Sequence, residues 1–130
     1  MDEPSAAVPL VSVVVPTFGD AEGLGRCLAA LELQTYPADR YEVVVVDNGS
    51  RPAVVLPESR RARRLEIEPK PGSYAARNRG VRSSRGEIFA FTDADCAPRA
   101  DWLEQGVAAL GIDPAVHPVA GRIELTFAAP

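Results

Sequence analysis

Two aspartates, Asp93 and Asp95, stand one residue apart directly after the apolar segment from Glu87 to Thr92. That segment, EIFAFT, has the composition of a strand buried on both faces, which places the aspartates at the end of a strand. Two carboxylates on a turning backbone can hold one Mg²⁺ or Mn²⁺ ion, which then binds two phosphate oxygens. The competing interpretation is a solvent-exposed turn whose aspartates cap the helix that follows.

A third carboxylate, Asp47, closes the apolar run from Tyr41 to Val46. In doubly wound α/β folds an acidic residue at this position commonly binds a ribose or a base. The next three residues, Asn48, Gly49 and Ser50, favour turns, so a plain turn is the alternative. If the two strands are parallel, Asp47 and the aspartate pair lie at the same end of the sheet.

Arg77 and Asn78 lie about one turn inside a predicted helix. The stretch YAARNRGVRSS is rich in alanine, with Ser73 placed to cap its first turn and Gly86 placed to end it. Backbone N–H groups at a helix start and a nearby guanidinium suit a negatively charged or carbonyl-rich ligand. A surface arginine within an arginine-rich segment is the alternative.

Charge is distributed unevenly along the chain, whose formal net charge is −4. Residues 51–85 carry 10 basic and 3 acidic side chains, whereas residues 1–50 carry 2 and 8, and residues 86–130 carry 2 and 7. The acidic flanks and a pI near 5.0 argue against a nucleic-acid partner. A small anionic ligand and a solvated arginine-rich loop remain as explanations of the basic segment.

The hydrophobic pattern predicts the strands and helices that carry these residues. A strand from Leu10 to Val15, ended by Pro16, and a second from Tyr41 to Val46 flank a segment whose apolar residues recur at helical spacing. Two buried strands joined by such a helix form a parallel crossover unit, in which ligands bind beyond the carboxyl ends of the strands. The pattern therefore predicts an α/β fold with a mostly parallel sheet flanked by helices.

The remaining segments fit one domain, as expected for 130 residues. Residues 1–9 are predicted to form a flexible N-terminus and residues 51–64 a loop, followed by a short edge strand around Leu65. A helix from Trp102 to Leu110 and a strand from Val116 to Phe127 complete the order, with the tryptophan side chain in the core.

Several classes of protein are excluded by what the sequence lacks. No apolar run approaches the ~20 residues of a membrane helix, and the start, MDEPSAAVPL, has no basic residues of a secretory signal. We therefore expect a cytoplasmic protein, with membrane association only within a longer one. Cys27 and Cys96 form no CxxC pair, and the sole histidine, His117, is interpreted as structural. No Ser/His/Asp set, P-loop or dinucleotide fingerprint is present.

Five segments, taken in order from Val11 to Leu103, resemble the nucleotide-binding half of family 2 inverting glycosyltransferases with the Rossmann-like GT-A fold. They are VSVVVPTFGD, CLAALELQTYP, YEVVVVDNGS, PGSYAARNRGVRSSRGEIFAFTDADCAP and WL. The donor in such enzymes is a nucleoside diphosphate sugar. The resemblance implies such a donor, with a UDP-sugar favoured, an Mn²⁺ or Mg²⁺ cofactor, and transfer of the sugar with inversion to an acceptor of unknown identity.

The resemblance also implies roles for residues around the nucleoside. Pro16 and Thr17 would line the nucleoside pocket, and Asp47 would hydrogen-bond the base. Arg77 with Asn78 would lie against the base and the diphosphate.

For the aspartate pair, the resemblance implies that Asp93 approaches the ribose and that Asp95 holds the divalent metal on the diphosphate. Asp93 is the second candidate for that metal site. The family often has Asn soon after the Pro-Thr of the first strand, where this chain has Phe18, Gly19 and Asp20.

The acceptor half of the family, which carries an acidic catalytic base, normally follows the region equivalent to residues 120–130. Nothing in this sequence matches that half, so we interpret the chain as a truncated N-terminal portion that binds donor without robust transfer. We also expect a homodimer through an exposed C-terminal sheet edge near Ile123 to Phe127. A non-catalytic nucleotide-sugar-binding module is the alternative, whereas VPTFGDAEGLGR is a poor phosphate loop for a nucleotidyltransferase.

Overall fold

A computed structural model describes residues 8–111 and 123–126 of the chain. Within these residues, five parallel strands form one sheet in the order β3-β2-β1-β4-β5. The elements are β1 (Val11–Thr17), α1 (Ala21–Glu32), a 3₁₀ turn (Ala38–Arg40), β2 (Tyr41–Asp47), β3 (Ala62–Ile67), α2 (Ser73–Ser83), β4 (Ile88–Phe91), α3 (Trp102–Leu110) and β5 (Ile123–Thr126). The predicted α/β architecture with a parallel sheet is confirmed.

The central strand, β1, determines which chain segments meet at the carboxyl end of the sheet. Its last residue, Thr17, lies opposite Asp47 of β2, and its Val14 lies opposite Phe91, the last residue of β4. The residues that follow these three strands therefore converge at one end of the sheet. The crossover predicted from the hydrophobic pattern places Asp47 and the aspartate pair at that shared end.

Both faces of the sheet are buried, which explains the unbroken apolar runs of β1 and β2. Alternate residues point to opposite faces of a strand, so Val13 and Val15 pack with α1 and α3, whereas Val14 packs with α2. Trp102 belongs to the core on the first of these faces, as the sequence predicts.

Helix α2 packs against the sheet at Gly80. A Cβ atom at this position would lie 2.4 Å from Cγ1 of Val14 and 3.2 Å from Cγ2 of Val46. Both distances are shorter than a normal carbon–carbon contact, so only glycine allows α2 to lie this close to the strands.

A buried polar network joins β1, β2 and β3 at the opposite end of the sheet. The Glu42 carboxylate accepts hydrogen bonds from the Ser12 hydroxyl at 2.6 Å and from the Arg85 backbone N–H at 2.8 Å. Arg64 donates to the second Glu42 oxygen at 2.8 Å, and the Gly86 N–H donates to the Ser12 oxygen at 2.8 Å. These bonds satisfy a carboxylate that is 5% exposed.

The prediction that Pro16 ends the first strand is wrong, because β1 continues to Thr17. The Val14 carbonyl accepts from the Thr92 N–H, so Pro16, two residues later, also faces the β4 side. Strand β4 ends at Phe91, and the N–H that proline lacks would have had no strand partner there.

The limits of α2 and β3 also differ from the sequence predictions. Gly72, with φ +113°, occupies the N-cap position, so Ser73 is the first helical residue and not the cap. The helix ends at Ser83 rather than continuing to Gly86. Strand β3 begins at Ala62, which shortens the predicted loop of residues 51–64 to residues 51–61.

Ion pairs account for much of the basic segment. Arg63 pairs with Glu32 at 2.7 Å and Arg64 with Glu42 at 2.8 Å, while Arg79 and Arg82 pair with acids of β3 and the residue after it. These four arginines therefore neutralise acids of the same fold, which the charge pattern of the sequence did not indicate.

Some predictions fall on residues that the structure does not describe. His117 lies outside the described residues, as does most of the predicted strand from Val116, of which residues 123–126 form β5. Of the predicted flexible N-terminus, residues 1–7 lie outside, whereas the carbonyls of residues 8 and 9 accept hydrogen bonds from Arg40 and Tyr36. The homodimer expected through the sheet edge near Ile123 to Phe127 stays a prediction. None of the described helices is long and apolar enough to cross a bilayer.

Candidate functional site

An open cleft of about 350 Å³ lies at the carboxyl end of the sheet. One wall is the end of β1, the other is the segment that leads into α2, and the first residue after β2 lies between them. The lining residues are Pro16, Thr17, Phe18, Asn48, Pro71, Gly72, Ser73 and Asp93. Of the residues singled out in the sequence, Pro16, Thr17 and Asp93 meet in this cleft.

Thr17 contributes a buried polar atom to the cleft. The residue is 3% exposed, and its Oγ1 has no hydrogen-bond partner among the described residues. Thr17 also lines a second cleft, of about 370 Å³, between the start of α1 and residues 50–57. Because a buried hydroxyl without a partner destabilises the fold, Thr17 Oγ1 is suited to accept a hydrogen bond from a bound molecule or to donate one to it.

Phe18 presents an aromatic ring to solvent at the mouth of the cleft. The residue is 71% exposed, and its ring lies over Gly49 of the turn after β2. An exposed aromatic side chain can stack on a planar ligand. Phe18 stood out in the sequence only as a departure from a family pattern, although its position directly after a strand could have marked it as a site residue.

Asp47 is buried and holds the turn after β2. Its Oδ1 accepts from the Ser50 N–H at 2.8 Å, and its Oδ2 accepts from the Val54 N–H at 3.1 Å. Burial raises the pKa of Asp47, but these backbone hydrogen bonds outweigh burial and hold the pKa below the ordinary value of 3.8. Asp47 is not among the residues that line the cleft, and its contact with a base stays a prediction.

We expect Asp47→Asn to lower the free energy of unfolding by about 2 kcal/mol at pH 7, because an amide cannot accept both N–H groups. A carboxylate whose folded-state pKa is lowered stabilises the fold above its unfolded-state pKa and loses this contribution as the pH falls. The difference from wild type should therefore shrink as the pH drops below about 3.8. Urea unfolding at several pH values measures this difference in the free energy of unfolding.

Asp101→Asn is the control for this measurement, because the Asp101 side chain makes no capping hydrogen bond at the start of α3. A difference between Asp47→Asn and wild type that is as large at pH 3 as at pH 7 would contradict the assigned hydrogen bonds.

The aspartate pair lies in a turn directly after β4. Both carboxylates are exposed, and their oxygens and Cys96 Sγ lie within 4.8 Å of one another. Neither aspartate caps α3, whose N-cap is Asp101, so the competing capping interpretation is wrong. Two carboxylates and open solvent positions fit Mg²⁺ or Mn²⁺. Burial and the neighbouring Asp95 raise the pKa of the Cys96 thiol, so its protonated form adds no charge to this oxygen donor set.

Arg77 joins the helix to the aspartate pair. Its Nη2 lies 3.8 Å from Asp93 Oδ1, and its guanidinium carbon lies 5.8 Å from the centre of the Phe91 ring. The Nε atom is buried and has no hydrogen-bond partner within the described part of the chain. Asn78, the next residue, is exposed. Neither residue lines the cleft, so their contacts with a ligand stay predictions.

Comparison with known protein families identifies the family to which the chain belongs. The model of the domain described as "Glycosyl transferase family 2" matches residues 12–125. The chain belongs to glycosyl transferase family 2. The matched span contains every residue that lines the cleft and the whole aspartate turn.

Two curated relatives carry glycosyltransferase names. "Glycosyltransferase AglE" of Haloferax volcanii is 42% identical over 129 residues, which cover 95% of this family 2 chain and 42% of AglE. "Validoxylamine A glucosyltransferase" of Streptomyces hygroscopicus is 34% identical over 108 residues, covering 78% of this chain and 26% of that protein. The chain thus spans less than half the length of these relatives.

Solved structures confirm the GT-A fold that the resemblance implies. The mannosyltransferase PcManGT from Pyrobaculum calidifontis, solved in complex with GDP-Man and Mn²⁺, superimposes with a TM-score of 0.70 at 32% identity. The match covers 86% of this family 2 chain and 35% of the mannosyltransferase. S. aureus TarS 1-349 shares the fold with a TM-score of 0.66 at 23% identity, over 78% of this chain and 32% of that one.

Proposed function

We propose that this family 2 domain binds a nucleoside diphosphate sugar in the cleft, with its diphosphate on a divalent cation held by Asp93 and Asp95. The observation that carries the proposal is the cleft itself, where the unpartnered Thr17 hydroxyl and Asp93 face the same space. The 32% identity to a mannosyltransferase solved with GDP-Man and Mn²⁺ supports both the donor class and the use of a metal.

Within this proposal, the end of β1 receives the nucleoside. Pro16 and Thr17 line the nucleoside pocket, and the exposed ring of Phe18 stacks on the base. Asp47 hydrogen-bonds the base through the lone pairs that Ser50 and Val54 leave available.

The groups beyond the nucleoside are assigned to the ribose and the diphosphate. Asp93 approaches the ribose and shares the metal with Asp95, and Arg77 with Asn78 lies against the base and diphosphate. Arg77 lies 3.8 Å from Asp93, which supports placing both on one ligand. When bound, Mn²⁺ or Mg²⁺ neutralises charge on the departing diphosphate.

The complete reaction is proposed to be transfer of the sugar to an acceptor with inversion at the anomeric carbon. The carboxylates of Asp47, Asp93 and Asp95 are all assigned to the donor or its metal. The base that deprotonates the acceptor hydroxyl is therefore not among them. A transfer assay with added acceptors separates this enzyme from a binding module that turns nothing over.

Calorimetric titration with UDP and GDP, in Mn²⁺ and in EDTA, tests donor binding. We expect Mn²⁺ to raise the affinity of the preferred nucleotide at least tenfold, because carboxylates and diphosphate share the ion. Asp95→Ala should lower the affinity in Mn²⁺ to the EDTA level and leave the EDTA value unchanged.

Asp101→Ala is the matched control, since Asp101 lies outside the Asp93, Asp95 and Cys96 cluster. It should bind nucleotide as wild type does under both conditions. Equal wild-type affinity in Mn²⁺ and EDTA would overturn the metal assignment, and absence of binding to either nucleotide would overturn the proposed function.

A further inference from the structure

Asn48 is the first residue after β2, and its side chain makes three hydrogen bonds to one distant segment. Its Nδ2 donates to the Glu68 carbonyl and to the Lys70 carbonyl, both at 2.8 Å. Its Oδ1 accepts from the Gly72 N–H at 3.0 Å. Both amide hydrogens and one oxygen lone pair are thereby used within the protein, which leaves no side-chain N–H for a ligand.

The bonded segment forms one wall of the cleft. Pro71, Gly72 and Ser73 line that wall, while Thr17 and Phe18 line the wall opposite. The backbone N–H of Asn48 donates to the Thr17 carbonyl at 2.9 Å. Asn48 is therefore bonded to both walls at once, through its backbone on one side and its side chain on the other.

The other interactions of residues 68–72 are concentrated at Glu68, whose carboxylate also pairs with Arg82 of α2 at 3.7 Å. Pro69 and Pro71 have no N–H group, and the Lys70 N–H is used by the Glu68 carboxylate at 3.0 Å within the same segment. The Glu68 N–H donates to the Asp47 carbonyl at 3.0 Å, which fixes the start of the segment only. Among the described residues, the Asn48 amide supplies the hydrogen bonds that tie Lys70 and Gly72, from which α2 begins, to the end of β2.

We propose that Asn48 is a positioning residue for nucleotide recognition. Its amide sets the distance between the β1 wall and the start of α2 before ligand arrives. A nucleotide then meets a formed cleft and does not have to order residues 68–72 on binding. This inference rests on the proposed function, because it concerns the same cleft.

The test is nucleotide affinity in EDTA, where the metal makes no contribution. We expect Asn48→Ala to lower the affinity for the nucleotide that wild type binds, UDP or GDP, by roughly tenfold. Residues 68–72 would then become ordered only when the nucleotide binds, and that loss of entropy reduces the binding free energy. The affinity of Asn48→Ser, whose short hydroxyl can donate and accept a hydrogen bond, should lie between those of wild type and Asn48→Ala. Hydrogen exchange at the Gly72 and Ala76 amides should become faster in both variants.

Gln34 provides a matched control, because its side-chain amide also bonds to two backbone carbonyls and one backbone N–H but does not line the cleft. Its Nε2 donates to the carbonyls of Arg99 at 2.7 Å and Ala30 at 3.4 Å, and its Oε1 accepts from the Leu103 N–H at 3.0 Å. Gln34→Ala should lower the stability of the fold but leave nucleotide affinity in EDTA and exchange at Gly72 as in wild type.

The outcomes separate this inference from the proposed function. Wild type that binds neither nucleotide would overturn both. If wild type binds nucleotide and either Asn48→Ala or Asn48→Ser binds it with the same affinity, the positioning role is overturned and the proposed function is unaffected. Equal losses of affinity in Asn48→Ala and Gln34→Ala would also overturn it, because the loss would then report general stability. Should Asn48→Ala not fold, the same criteria apply to Asn48→Ser.

Discussion

Replacement of Glu42 by alanine should lower the free energy of unfolding by about 3 kcal/mol, because it removes the buried acceptor of three hydrogen-bond donors. The Ser12 hydroxyl, the Arg85 N–H and the Arg64 guanidinium all donate to this carboxylate. Arg64 also donates to the Ser83 carbonyl, so it retains one partner and the expected loss stays at the low end for a buried pair. Equilibrium unfolding in urea gives the value.

Glu66→Ala is the control for Glu42→Ala. Glu66 pairs with Arg79 at 3.2 Å, but the Arg79 side chain is 40% exposed, and such pairs contribute under about 1 kcal/mol. If the two variants lose equal stability, the network at Glu42 does not hold the three strands together as described.

Gly80→Ala and Gly25→Ala should change stability in opposite directions, although both replace a helical glycine by the best helix former. At Gly80 the added methyl group would lie 2.4 Å from Val14 Cγ1, and we expect a loss of about 2 kcal/mol from overpacking. At Gly25 an added Cβ atom would meet nothing within 4 Å beyond its chain neighbours and its own helix backbone, and we expect a gain of roughly 0.5–1 kcal/mol from helix propensity. The difference is therefore about 3 kcal/mol.

Thermal and urea unfolding of both glycine variants measure this difference. A gain in stability for Gly80→Ala would show that α2 can move away from the sheet at little cost. Since α2 begins at the cleft, nucleotide affinity of Gly80→Ala reports whether such a shift reaches the candidate site.

The strands of the fold were predictable where they are buried on both faces. The runs LVSVVV, YEVVVV and EIFAFT indicated β1, β2 and β4, because burial on both faces leaves no alternation for the pattern to follow. Strand β3 was placed too late because Arg63 and Arg64 resemble a loop. Their charges are neutralised by Glu32 and Glu42, which lie 31 and 22 residues away in the sequence.

The candidate site was predictable where a residue directly follows a strand. Asp93, just after β4, could be placed at this end because parallel strands bring their ends together, whereas Thr17, the last residue of β1, was singled out only by the family resemblance. The bonds of Asn48 could not be predicted, because its partners belong to a segment whose path depends on two prolines and a glycine with positive φ. The bonds from Ser50 and Val54 to the Asp47 carboxylate were not predicted either, because they depend on the path of the turn after β2, and the contact of Asp47 with a base stays a prediction.

The central position of β1 has a consequence for the order in which the chain is synthesised. Among the described strands, β1 comes first and its partner β2 is the next to be made, but β4 pairs with the other side of β1 and ends only at Phe91. At ribosomal rates of roughly 5–20 residues per second, the 44 residues that follow Asp47 up to Phe91 take roughly 2–9 s to emerge. For that interval an apolar strand with an unpaired backbone edge is present on the nascent chain. We expect molecular chaperones to bind there, and expression yield to depend on how quickly residues 88–91 close that edge.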